Sequence, residues 1–261
     1  MSTLMHRAAS VFSLMSRIPV RLKEQPDYSD ADLLIPLVGL TAALAACAGA
    51  AVGVFSFGPG WLAAITATAV QYAAFNLFHF DGLVDSADAM GAFGDAEKKR
   101  IALKDPRIGS FGLFSGALAL LCRVAALAAL FRTGGLLAWA GLAMAPVVGR
   151  FSSCILAGAY QSAPGGGLGS TLSGSKPLRS SLGYAFAIAP GALLLGAAAG
   201  PFAVGIGIAA GGAIAAIASI AVGQWYKATF GGYTGDALGA AVELGELFVL
   251  CVMAGVFARG F

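Results

Sequence analysis

The sequence predicts an all-α protein that crosses a lipid bilayer about seven times. Of its 261 residues, 58% are hydrophobic and only 11% charged, and the mean hydropathy is +0.83, far from soluble-domain averages. Several stretches run for about 20 residues without an ionised side chain, the length a helix needs to cross a hydrocarbon core of about 30 Å. Between these stretches, short breakers alternate with longer polar connectors. No apolar–polar alternation suggests a barrel instead.

The elements follow in order. Residues 1–24 hold Arg7, Arg17, Arg21 and Lys23 with no acid before Glu24, while Leu4, Ala8, Val11 and Met15 recur at helical spacing. This predicts an amphipathic helix lying on the membrane. The segment superficially resembles a transit peptide, but no compact apolar core with a small-residue cleavage site follows, so it is read as part of the mature chain. Apolar runs then cover about 33–57, 61–80, 113–131, 136–160, 182–199, 202–224 and 237–258. Gly58-Pro59-Gly60, Thr133-Gly134-Gly135 and Gly200-Pro201 are short breakers, and the other three connectors are longer, polar and basic.

With the amino terminus inside, Lys98, Lys99, Arg100, Lys104, Arg107, Lys176, Arg179 and Lys227 face the cytoplasm, and only Arg132 and Arg259 face out. The positive-inside rule favours this orientation, with the polar loops in the cytoplasm, and the expected location is a bacterial-type inner membrane. The whole chain, 1–261, reads as a single integral membrane domain whose partner is the bilayer. A net charge of +3, with basic residues beside apolar spans and no interleaved aromatic patch, gives no reason to expect a nucleic acid. Cys47, Cys122, Cys154 and Cys251 lie singly in apolar runs and read as packing residues. The sequence leaves a homo-oligomer open.

Six of the thirteen acids, Asp81, Asp85, Asp88, Asp95, Glu97 and Asp105, fall in the connector 81–112. If the second span continues as helix, Asp81, Asp85 and Asp88 are spaced i, i+4, i+7 and share one face. Like charges at that spacing repel, and Gly82 costs a helix interior about 1 kcal/mol against Ala, so stability does not account for the pattern. A divalent cation does: hard oxygen ligands suit Mg²⁺ or Mn²⁺, completed by water and substrate phosphates. The alternative is a solvated acidic run pairing with Lys98, Lys99 and Arg100, although exposed pairs contribute little. Downstream, Lys104-Asp105-Pro106-Arg107-Ile108-Gly109-Ser110-Phe111-Gly112 offers a point charge and a guanidinium fork for phosphate oxygens. An acidic cluster followed by a basic turn is the vocabulary of phosphoryl transfer.

Gly231-Gly232-Tyr233-Thr234-Gly235-Asp236 precedes an apolar helix carrying Glu243 and Glu246, with Asp236 and Glu243 on a shared face. Helix starts bind phosphate, while Asp236 could equally be an N-cap on a glycine-rich turn. Carboxylates inside a span cost about 2.5 to 3.5 kcal/mol each on insertion scales, which argues for a role. Arg123 and Arg150 are span-embedded cations that need partners; Arg150 reads equally as structural or as facing substrate phosphate. The glycine-rich stretch 165–176 lacks the Gly-Lys-Ser/Thr order and a preceding strand, so it is read as a flexible loop and not a Walker motif.

Taken in this order, Ser16-Arg17-Ile18-Pro19-Val20, His79-Phe80-Asp81-Gly82-Leu83-Val84-Asp85-Ser86-Ala87-Asp88, Lys104 to Gly112 and Gly231 to Asp236, continued through Gly239-Ala240-Ala241, Glu243 and Glu246, resemble the cobalamin synthase (adenosylcobinamide-GDP ribazoletransferase) family. The sequence departs from that pattern at Ser86, Ala89 and Pro106, where Thr, Gly and Ser are common, and keeps all three aspartates. The resemblance implies an enzyme in which α-ribazole, or its 5′-phosphate, displaces GMP from adenosylcobinamide-GDP. Under it, Asp81, Asp85 and Asp88 hold Mg²⁺ and with Asp236 form the catalytic set. Lys104, Asp105, Arg107, Arg150, Thr234 and Glu243 would bind substrate, and His79 would orient Asp81. Two other classes compete: CDP-alcohol phosphotransferases and prenyltransferases also set aspartates at helix ends, with different spacings, and a cation-coupled transporter would carry its acids near midplane.

Overall fold

The computed structural model describes residues 3–133, 135–164 and 167–257. Gly134, Gly165, Gly166 and Arg259 from the sequence reading lie outside them, as does the end of the last apolar run.

The chain is an integral membrane protein. The described residues form α1 (Thr3–Met15), α2 (Ala31–Phe57), α3 (Trp61–Gln71), a π-helical turn (Tyr72–Asn76), α4 (Leu77–Gly91), α5 (Ala96–Leu103), α6 (Ser110–Thr133), α7 (Gly135–Ala159), a 3₁₀ turn (Gly167–Leu172), α8 (Pro177–Ala199), α9 (Phe202–Phe230) and α10 (Gly235–Phe257). Seven segments are long and apolar enough to cross a membrane, with α3, the π turn and α4 forming one continuous span. Large apolar side chains such as Phe55, Leu121, Phe186 and Phe202 point outward, as lipid-facing surface requires.

α7 is the axis of the bundle. It packs against α2, α6, α8, α9 and α10, and its glycine and alanine positions let these helices close in. Gly39 of α2, for example, lies on the backbone of Val147. This central position makes Arg150 a fully buried side chain.

The expected amino-terminal helix is present. Val11 and Met15 are buried, Leu4 is exposed, and Arg7 is tied to Asp27 (2.8 Å) and Asp30 (2.7 Å) at the head of α2. Arg179 at the start of α8 pairs with the same Asp30 and lies 3.3 Å from Asp32. The cation-rich head is therefore held against the bundle by acids that the sequence reading passed over.

Three boundaries differ from expectation, each for a local reason. The aspartate segment is no open loop: α4 carries helix to Gly91, Asp95 caps α5 by accepting the amide of Lys98 (3.1 Å), and only 92–95 and 104–109 are irregular. α9 runs to Phe230 because Trp225, Tyr226 and Phe230 pack on one another, and Gly231 ends it with a left-handed φ of 80°. The final connector thus shrinks to a four-residue turn, 231–234. The described part of the glycine-rich stretch, 167–176, is not a free loop either: it begins with a 3₁₀ turn, and Gly169 lies on Thr234 and Gly235, next to where Ala163 donates to the Tyr233 carbonyl (2.8 Å) and Tyr233 to that of Gln161 (3.0 Å).

Candidate functional site

α4 and α10 cross in close antiparallel contact. Gly82 rests on the backbone of Asp236, Gly239 rests on the backbone of His79, and the Asn76 side chain donates to Glu243 Oε1 (2.8 Å) one step further in. The crossing brings acids from two distant parts of the chain together. Asp81, Asp236 and Asp88 all lie within electrostatic reach of Asp85, and Asp81 within reach of Asp236. Asp81 is exposed and Asp85 half-buried, at the end of the bundle that carries α5.

Asp236 is not the cap of its helix. The Thr234 hydroxyl accepts the Ala237 amide (3.4 Å) and donates to Asp236 Oδ2 (3.1 Å), so Thr234 caps α10 and orients the carboxylate within its first turn. The position at the helix start suits negative charge, the carboxylate's own or a phosphate's. Tyr233 anchors the turn from below: it is buried, and its hydroxyl lies 3.2 Å from Ser173 Oγ.

Asp88 has a different environment from its two helical neighbours. Its Oδ2 accepts the Gly109 amide and its Oδ1 the Gly112 amide, both at 2.7 Å, so it caps the first turn of α6 from another helix. A side chain at Gly109 or Gly112 would collide with that carboxylate. The basic turn is thereby pinned to the aspartate helix.

Within that turn, Arg107 makes a bidentate pair with Asp105 (Nε to Oδ1 2.9 Å, Nη2 to Oδ2 2.7 Å), and the guanidinium holds the Asp105 carboxyl down to about 2. Lys104, Asp105 and Arg107 line a shallow depression of about 490 Å³ together with Glu97 and Arg100. None of the aspartates at 81, 85, 88 or 236 lines it. The structure thus separates the basic residues named from sequence into a neighbouring surface, joined to the acids through Asp88.

Arg150 and Glu243 lie deeper, in a buried charge network. Glu246 pairs with Arg150 and, at 2.8 Å, with Arg123; it also accepts from Gln71 (2.8 Å) and Asn76 (3.0 Å). Glu243 accepts from Tyr72 as well as Asn76, and Arg150 donates to Asn76 Oδ1 (2.8 Å). Two cations meet two carboxylates, all in the middle of their spans. The π turn is what presents Tyr72 and Asn76 to the pair of glutamates, a common use of such irregularities. Sequence reasoning missed Gln71, Tyr72 and Asn76; the one available signal was their amide and hydroxyl groups in an otherwise apolar span. His79 lies between network and aspartates, its Nε2 buried with no hydrogen-bond partner among the described residues.

The donor set of Asp81, Asp85 and Asp236 is all hard oxygen, the chemistry Mg²⁺ takes. Among the described residues no three His, Cys, Asp or Glu side chains are grouped closely enough to hold a metal ion by themselves. An open set fits Mg²⁺ nonetheless, because it usually binds through one or two carboxylates with water and substrate phosphates supplying the rest.

Comparison with known proteins agrees in direction and extent. The sequence model of the cobalamin-5-phosphate synthase family matches residues 7–254. A Pseudomonas paraeruginosa protein is 32% identical over 92% of this chain and 94% of its own length, and one from Pseudomonas aeruginosa is 34% identical with the same coverage. A third, from Pseudomonas entomophila, is 35% identical over 92% of this chain and 95% of its own. All three are named adenosylcobinamide-GDP ribazoletransferase. No solved structure is significantly similar to the chain. A profile spanning nearly every element described above, together with relatives matched end to end, establishes that the chain belongs to the cobalamin-5-phosphate synthase family of transferases.

Proposed function

We propose that this chain joins adenosylcobinamide-GDP to α-ribazole, or to its 5′-phosphate, with release of GMP, at a Mg²⁺-dependent site formed by Asp81, Asp85 and Asp236 on the cytoplasmic face of an inner membrane. The observation that carries this reading is the α4–α10 crossing, which sets carboxylates from two spans beside one helix start. Mg²⁺, when bound, neutralises charge gathering on pyrophosphate oxygens.

The residues do the rest. In the step proposed, a ribose hydroxyl oxygen bonds to the cobinamide-side phosphorus, the bond from that phosphorus to the bridging oxygen breaks, and GMP leaves with the electron pair. Asp236, aimed by Thr234, or Asp85 beside it accepts the hydroxyl proton. Asp81 and Asp85 would hold the metal. Asp88, whose two oxygens are already engaged by backbone amides, fixes the turn from which Lys104 and Arg107 reach phosphate. Arg150 and Glu243, buried in the charge network, act on the site by holding α10 in register with α4.

The test is purified protein in proteoliposomes, assayed for GMP release from adenosylcobinamide-GDP with α-ribazole and Mg²⁺. Release that requires both substrates, stops on chelation and returns with Mg²⁺ is expected. No release with verified substrates overturns the reaction, and undiminished release after chelation overturns the metal. Asp85→Asn should abolish turnover while the protein still inserts and remains monodisperse.

A further inference from the structure

α6 and α9 are not packed on one another. Between them opens a cleft of about 420 Å³, floored by α4 and α10 and walled by Leu83, Met90, Leu118, Cys122, Val222 and Trp225. The lining is mostly apolar; of its hydroxyl groups, Ser86 and Tyr226 are hydrogen-bonded to each other (2.7 Å), and Ser115 lies on the α6 side.

The cleft opens on the other side of α4 from the aspartates, with Tyr226 the lining residue that also reaches Thr234. At about 100° per residue, Leu83, Ala87 and Met90 project from the side of α4 away from Asp81 and Asp85. It opens sideways, where the flanking Leu118, Leu121 and Met90 are exposed and the surroundings are lipid.

Its charged end is roofed by α5. There Lys99 Nζ lies 5.9 Å from the centroid of the Trp225 ring, a wall of the cleft, and the Arg100 guanidinium lies 5.8 Å from that of Phe230. The Trp225 ring holds Lys99 at the rim, and Phe230, one turn further along α9, holds Arg100 beside it. Neither cation has an ion pair among the described residues, in contrast to Arg7, Arg107 and Arg179. An apolar slot with two cations, neither in an ion pair among the described residues, at an aromatic boundary matches the charge pattern of one class of molecule.

We infer that this cleft is a binding site for a single anionic glycerophospholipid, with an acyl chain between α6 and α9 and the headgroup phosphate on Lys99 and Arg100. The site does not rest on the reaction proposed for the aspartates, although Arg100 also lines the depression that holds Lys104 and Arg107. Lipid that merely surrounds the protein shows no headgroup preference, whereas two cations at the rim favour an anionic lipid by about tenfold or more.

Native mass spectrometry of the purified full chain, equilibrated with equal amounts of phosphatidylglycerol and phosphatidylcholine of identical chains, reads this directly. One phosphatidylglycerol retained per chain, at least tenfold over phosphatidylcholine, is expected. The double change Lys99→Glu, Arg100→Glu should reduce retention to the phosphatidylcholine level, and Ala119→Trp, which fills the slot, should abolish it with both cations in place. Equal retention of the two lipids by the unaltered protein, or phosphatidylglycerol retention that survives both variants, overturns the site. Phosphatidylglycerol with a photoreactive acyl chain needs no variant: labelling of α6 and α9 around Leu118 and Trp225 supports the site, and labelling confined elsewhere refutes it.

Discussion

Gly82 of α4 lies so close to Asp236 of α10 that a methyl group on it would meet the Asp236 carbonyl oxygen at 2.7 Å. By helix propensity alone, Gly82→Ala should stabilise by about 1 kcal/mol. The close contact reverses the sign: forcing the helices apart should cost about 1–3 kcal/mol. Thermal unfolding in detergent should show a lower midpoint, and turnover should fall because Asp236 moves from Asp85. A midpoint that rises would show that the helices do not meet here.

Asp88 uses both oxygens on backbone amides. Asp88→Asn keeps one acceptor and Asp88→Ala keeps none, so the turn at 104–109 should loosen stepwise, each lost charge-assisted bond weakening it by about 1.5–3 kcal/mol. Limited proteolysis at Lys104 and Arg107 should accelerate in the order wild type, Asn, Ala. Equal cleavage rates in all three would remove the bracing role.

Glu246 partners two buried arginines, whereas among the described residues Glu243 accepts from Tyr72 and Asn76. Glu246→Gln removes the direct ion pairs of Arg123 and Arg150 and should cost about 3–5 kcal/mol. Glu243→Gln disturbs bonds to neutral donors and should cost less. Chemical unfolding in mixed micelles checks the order, and a reversed order would show that Glu243 carries the load instead.

The docking of α1 should be acid-labile. Arg179 first and Arg7 second hold the Asp30 carboxyl below its ordinary value of 3.8, and backbone and side-chain bonds from Ser29, then Arg7, do the same to Asp27. Because these folded-state values are depressed, the stabilisation is complete above about pH 4 and fades as pH falls through the acid range. Arg7→Ala should therefore unfold earlier than wild type at pH 7, with the gap closing towards pH 2. A gap independent of pH would assign the difference to packing.

Much of this was legible in the sequence because a bilayer forces apolar length and loop charge into plain view. The spans, the amino-terminal helix and the shared face of Asp81, Asp85 and Asp88 follow from spacing. What spacing could not supply is which helices touch. Asp236 reaches Asp85 only through a glycine crossing, and Asp88 turns to α6 because two glycines there leave room for its carboxylate. Arg150 and Glu243 were named as substrate contacts because a charge in a span demands a partner; that demand is met inside the protein, by Glu246, Asn76 and Tyr72. The π turn that supplies two of these groups has no sequence signature.

The placement of Glu246 on the last helix also dictates an order of assembly. Arg123 and Arg150 leave the ribosome well before their counter-ion does, so their helices must wait, poorly tolerated by hydrocarbon, until α10 is made. A nascent chain stopped short of residue 246 should accordingly carry two span-embedded arginines without their direct ion-pair partner.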